Sequence, residues 1–182
     1  MKRGLGLLVA LGVAGAPTGW WISDVVESHD SFCVRCHLDP ETPLHQAKLR
    51  DFHRAIPTTL AAAHREARDG RFACIDCHRG AGWWRRVQVK GLAARDALLW
   101  LVGDFEEPEH MAHPLADRDC TQCHASIRPG RADAFHAIPV HEIDFDYPCV
   151  ACHRAHETGR PVLGFLEPEI VLPVCRNCHE EF

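Results

Sequence analysis

Cys33-Val34-Arg35-Cys36-His37 is the stretch on which the reading of this chain turns. It returns as Cys74-Ile75-Asp76-Cys77-His78, Cys120-Thr121-Gln122-Cys123-His124, Cys149-Val150-Ala151-Cys152-His153 and Cys175-Arg176-Asn177-Cys178-His179, and the five copies use all 10 cysteines. Cys-x-x-Cys-His is the attachment sequence of c-type haem: two thiols add to the vinyl groups of one porphyrin, and the adjacent imidazole becomes the proximal iron ligand. A single Cys-x-x-Cys pair would equally suit a zinc knuckle or a thioredoxin-like redox pair. Histidine is 14 of 182 residues, so chance would follow all five pairs with His only about once in 10⁵ to 10⁶ such chains. The expectation is five covalently bound haem c groups, with His37, His78, His124, His153 and His179 as proximal ligands.

The motifs begin 41, 46, 29 and 26 residues apart, so each haem has only some forty residues or fewer to wrap it. So little chain cannot bury five separate hydrophobic cores. The haems are expected to be the core, within a mainly α fold with extensive loops and low regular secondary structure, dependent on haem for folding. The formal charge of −5 leaves out the haem propionates. Against them stand 17 arginines and three lysines (Lys2, Lys48, Lys90). An arginine fork suits a propionate carboxylate, although a solvated arginine serves most such positions equally well. No basic stripe with interleaved aromatics points to nucleic acid.

Upstream of the first motif, Lys2-Arg3 precede an uncharged, mostly apolar run from Gly4 to Ile22. Nineteen residues can span a hydrocarbon layer if helical, and the preceding positive charge places the N-terminus in the cytoplasm. This reading gives a single N-terminal transmembrane anchor over 1–23. Residues 24–182 are then a pentahaem domain in the periplasm, tied to the inner membrane by one pass. Trp20-Trp21 fall where an interfacial aromatic belt would lie. The alternative is a cleaved signal peptide ending at Ala14-Gly15-Ala16, against which stand Pro17 and the apolar residues beyond it.

Between the motifs, Thr42-Pro43 opens a predicted helix through about Phe52, and Thr58 to Arg68 resumes one that stops at Asp69-Gly70. Gly82 to Gly103 is the longest helical candidate, with Arg85, Arg86, Lys90 and Arg95 among its apolar residues. It suits a lipid surface or a haem face equally. From His110 onward, prolines at 114, 129, 139, 148, 161, 168 and 173 predict mostly loop. There is also an internal echo: Asp51-Phe52-His53-Arg54-Ala55-Ile56-Pro57 and Ala134-Phe135-His136-Ala137-Ile138-Pro139 each precede a further histidine and then a motif.

Taken together, the N-terminal run, Phe32-Cys33-Val34-Arg35-Cys36-His37 close behind it, and the lone histidine of Ala63-His64-Arg65 before the second motif resemble the NapC/NirT/NrfH family of membrane-anchored multihaem cytochromes. The resemblance covers roughly residues 1–160 and four motifs; the fifth, Cys175 to His179, lies outside that pattern. Nine histidines stand outside the motifs: His29, His45, His53, His64, His110, His113, His136, His141 and His156. Nine imidazoles for five open iron positions favour His/His ligation, which gives low-spin haem suited to electron transfer. The resemblance implies His64 as sixth ligand of the fourth haem, His141 or His136 of the third, and His156 of the second. His113, His53, His110, His45 and His29 compete for the first and fifth. Leu38 stands where the family commonly has a methionine that contributes to coordination of the first haem.

The resemblance implies electron transfer from membrane quinol through the haems to a periplasmic reductase or cytochrome. Asp76 and Lys48 are then the candidate proton acceptors of a quinol site; both also suit ordinary surface charges. The alternative is an electron-relay subunit of a larger membrane, respiratory or photosynthetic complex, with no quinol site of its own. A third possibility is a multihaem reductase with one open iron, for which the chain leaves little polypeptide to shape a pocket.

Overall fold

A computed structural model describes residues 15, 17–35, 44–106, 111–124, 136, 138 and 147–181. Cys36, His37, Leu38, Thr42-Pro43, His110 and His141 therefore lie outside the described residues. So do 1–14 and 16, the greater part of the expected anchor.

The first described helix, α1, covers 17–27. It is followed by α2 (Asp30–Cys33), α3 (Leu44–Phe52), α4 (Leu60–Ala67), α5 (Cys74–His78), α6 (Trp83–Leu101), α7 (Asp117–Thr121) and α8 (Cys149–Cys152), then a 3₁₀ turn (Pro161–Leu163) and α9 (Pro168–Cys175). Helix accounts for 57% of the described residues, with no strand among them. The expectation of low regular secondary structure is thus corrected. The reason lies in the motifs, each of which builds or ends a short helix. The N–H groups of His124, His153 and His179 bond to the carbonyls of Cys120, Cys149 and Cys175 at 2.9–3.0 Å. That i to i+4 closure places Cys, Cys and His (i, i+3, i+4) on one face of a single turn.

The transmembrane expectation is also overturned. Among the described residues no helix is long and apolar enough to cross a membrane. A span needs about 20 apolar residues. Helix α6 has 19 residues but carries Arg85, Arg86, Lys90, Arg95 and Asp96. On α1, Asp24 and Glu27 pair with Arg86 and Lys90 of α6. The single-pass inner-membrane placement, which rested on that span, falls with it.

Two helix limits follow directly from local chemistry. Thr59 caps α4, its hydroxyl accepting the Ala62 N–H at 3.2 Å. Asp69 (φ 52°) and Gly70 (φ 76°) then turn the chain out of the helix in left-handed conformations. At 168–175 the loop expectation fails: Pro168 sits in the first turn, where a missing N–H costs nothing, and Pro173 is carried inside the helix.

Little of this chain is buried by its own side chains. Among the described residues only Phe52 (3% exposed) and Ala62 (2%) form an apolar core. The accessible surface is 13500 Å²; a compact protein of 20.4 kDa exposes about 8,800 Å². The packing that exists runs from motif to motif. Helix α2 lies on α5, α5 on α7, α7 on α8 and α8 on α9, so the five motif helices touch in chain order. Beside this row, α3 packs on α4, and α6 reaches α1 through ion pairs.

Candidate functional site

Three imidazoles of the motifs each face an imidazole from elsewhere in the chain. His78 and His156 have ring centroids 6.0 Å apart and planes within 18° of parallel. His136 and His153 repeat the arrangement at 6.2 Å and 17°. His64 and His124 meet at 5.7 Å with perpendicular planes, their Nε2 atoms 3.4 Å apart. Two imidazole nitrogens bonded at about 2 Å on opposite sides of one metal place the ring centroids roughly 6 Å apart. Among the described residues no three His, Cys, Asp or Glu side chains gather as a metal-holding group. The imidazoles meet in twos.

Local structure explains how the partners arrive. The segment after the fourth motif is stitched to the start of α4: Ala61 N–H donates to the Ala155 carbonyl at 2.8 Å, and Gly159 N–H to that of Thr58 at 3.0 Å. This holds His156 beside α5 and its His78. Gly159 is required there, because a Cβ would stand 2.1 Å from the Phe165 carbonyl oxygen. His64 lies on α4 with Nδ1 2.8 Å from the Leu60 carbonyl one turn back. An N–H donated from Nδ1 leaves Nε2 with its lone pair, the tautomer a metal-binding histidine uses. Burial lowers the pKa of His78, and burial with the neighbouring His78 takes His156 down to about 4. Both are neutral near pH 7, as a ligand imidazole must be.

A cavity of about 440 Å³ adjoins His78, His156 and His153, walled mainly by apolar groups such as Met111, Leu115 and Val150. That is within the size range of cofactor pockets. The residues present therefore fit the haem that the motifs call for: facing imidazoles, an apolar cradle beside them, and paired thiols on one helical turn. The nine described cysteines form no disulfide. They approach one another across motif boundaries: Cys33 hydrogen-bonds Cys74, which lowers Cys33 and raises Cys74. Burial raises Cys77 to about 11, with Cys120 of the third motif adding to it. Cys152 is raised by burial and by Cys175 of the fifth.

Two of these pairings differ from those the resemblance implies and one agrees with it. His64 faces the third motif's His124 instead of the fourth's, and His136 faces the fourth motif's His153 instead of the third's; His156 stands beside the second motif's His78. His53 bonds Asp30 through Nε2 at 3.0 Å and faces none of the described motif imidazoles. His113 has Nδ1 3.4 Å from Arg85 Nη1. His29 has Nδ1 3.0 Å from the Val25 carbonyl, the same device as His64. Thus the two members of the sequence echo, His53 and His136, occupy unlike surroundings. The proposed quinol pair is not brought together either. Asp76 accepts the Ala73 N–H at 2.9 Å and lines a groove of about 530 Å³ with Trp20, Trp83, Arg86 and Gln122. Exposed Lys48 is not part of that groove; its charge acts on His78 and His156.

Sequence reasoning missed the residues that join the motifs. The Cys74 N–H donates to Asp30 Oδ1 at 2.8 Å, across the first and second motifs. The Ala81 N–H donates to Asp119 Oδ1 at 2.6 Å, across the second and third. The Cys149 N–H donates to Asp117 Oδ1 at 2.8 Å, across the third and fourth. Between the fourth and fifth, Asn177 Nδ2 donates to Tyr147 Oη at 2.7 Å. One signal was legible: Asp30 and Asp117 each stand three residues before a motif's first cysteine.

Comparison with protein-family models, curated proteins and solved structures finds nothing that matches this chain.

Proposed function

We propose that this chain is a pentahaem c-type cytochrome that relays electrons between redox partners along its row of motifs. The observation that carries the reading is the facing of motif and non-motif imidazoles at about 6 Å. Bound haem supplies reversible one-electron chemistry, and His/His ligation keeps it low-spin. The chain's own part is to hold and order: Cys74, Cys77 and His78 with His156; Cys120, Cys123 and His124 with His64; Cys149, Cys152 and His153 with His136. The contact of consecutive motif helices supports a relay that runs in chain order. The sparse side-chain core supports it too, since a chain whose interior comes from a cofactor keeps few buried apolar residues of its own.

Of the two electron-transfer readings, the relay without its own quinol site is the better supported. Lys48 is not part of the groove that holds Asp76, and Asp76 is already engaged in capping α5. The test is reduction of the purified oxidised holoprotein. A small low-potential protein donor should reduce it, while a quinol analogue should leave it oxidised. Rapid reduction by the quinol analogue would overturn the relay reading in favour of quinol oxidation.

A further inference from the structure

Four of the motif helices have only four or five residues and the last has eight, and among the described residues no strand or apolar core lies between them to fix how one sits on the next. Something else must set the step. Each junction in the row carries one specific tie between groups far apart in sequence, 44 residues for Asp30, 38 for Asp119 and 32 for Asp117. Ordinary helix capping does not account for these bonds. Asp119 caps its own helix with Oδ2, which accepts the Ala116 N–H at 2.8 Å, and sends Oδ1 to Ala81. Asp30 is 11% exposed and Asp119 8%. An ionised carboxylate accepting a backbone N–H is among the stronger protein hydrogen bonds, and an aspartate has too few rotatable bonds to let the distance drift.

We propose that Asp30, Asp119 and Asp117 are positioning residues of the relay, each tying one attachment helix to the next and so fixing the step between successive redox centres. This rests on the multihaem reading. Asp117 and Asp119 act through backbone N–H groups of Cys149 and Ala81, and Asp30 through the backbone N–H of Cys74, whose thiol it also meets. At the fourth junction the Asn177 side chain donates to the Tyr147 hydroxyl.

The test uses oxidised holoprotein and reads magnetic coupling between neighbouring low-spin centres by electron paramagnetic resonance. Asp117→Ala removes the acceptor, and the coupling between third and fourth centres should fall while all five haems stay attached. Asp117→Asn keeps an acceptor oxygen and should retain the coupling. Asp117→Glu, which lengthens the tie by one methylene in a protein that still folds, should weaken it. Unchanged coupling in Asp117→Glu or Asp117→Ala, or a loss in Asp117→Asn equal to that in Asp117→Ala, overturns the proposal. A parent protein without covalent haem would overturn the relay reading as well, and haem counting on the parent separates the two failures.

Discussion

The row of motif helices and the α1–α6 pair hold together by opposite means. In α1 and α6 the polypeptide supplies most of its own partners, Arg86 Nη1 being left without one. Glu27 and Asp24 both bond Arg86. Lys90 Nζ reaches Glu27 at 3.0 Å and Ser23 Oγ at 2.6 Å, and lies 5.1 Å over the Trp20 ring. In the motif row the described ties are hydrogen bonds between short helices, such as Asp30 to Cys74 and Asp117 to Cys149, with thiols and imidazoles gathered along it. A charge-laced pair can form from side chains alone; a row of attachment motifs acquires its stability from what it binds. The molecule is thus expected to have one part that folds by itself and one that does not.

The largest effect should come from breaking a ligand set. Replacing Cys120 and Cys123 together by Ser should remove one covalent haem and leave the α5–α7–α8 region open to proteolysis, while α1 and α6 stay protected. Mass mapping of the fragments checks this. Equal protection of both regions would erase the comparison. Next is Gly159→Ala, where the new Cβ would meet the Phe165 carbonyl at 2.1 Å. It should cost about 3 kcal/mol in thermal unfolding and displace His156, turning one haem high-spin. His64→Ala should convert one centre to high spin without loss of thioether bonds. Because His64 faces His124, the affected centre should be the third, assigned by combining the variant with the Cys120/Cys123 pair.

The smaller predictions concern the self-sufficient side. Glu27→Gln leaves the nearly buried Arg86 and Lys90 short of charge and should cost about 1–3 kcal/mol, with every haem spectrum unmoved. Burial raises the Glu27 pKa, but hydrogen bonds from Ser23, Lys90 and Arg86 outweigh it and the net shift is downward from 4.5. A carboxylate depressed on folding stabilises above its unfolded pKa and loses that contribution as pH falls through the folded one. The α1–α6 contact should therefore hold at pH 6 and loosen progressively below about pH 4.5, measurable as faster amide exchange in α6. Lys48→Ala should be the mildest, since the exposed ammonium acts only through its field.

What the sequence made legible was local. The end of α4 and the limits of α6 could be read because Asp69-Gly70, Gly82 and Gly103 act within one turn of where they stand, while the expected start at Thr58 lies one residue ahead of the Thr59 cap. The motifs could be read because their chemistry needs a fixed i, i+3, i+4 spacing. The pairing of distal histidines was not legible in the same way. His156 meets His78 through backbone bonds between 155–159 and 58–61, a contact nearly a hundred residues long that no local pattern carries. The membrane reading is corrected because no described helix is long and apolar enough to cross a membrane, and the end of α1 is tied to α6 through Asp24 and Glu27. Asp30 and Asp117 shared a spacing to their motifs, but nothing in that spacing says the bond goes to the next motif's backbone.

The central claim is most directly tested by counting what the thiols hold. Fully matured protein, denatured and freed of non-covalent ligands, should retain five haems per chain by intact mass and by pyridine haemochrome absorbance. Unmodified thiols, or zinc recovered in place of haem, would contradict the account.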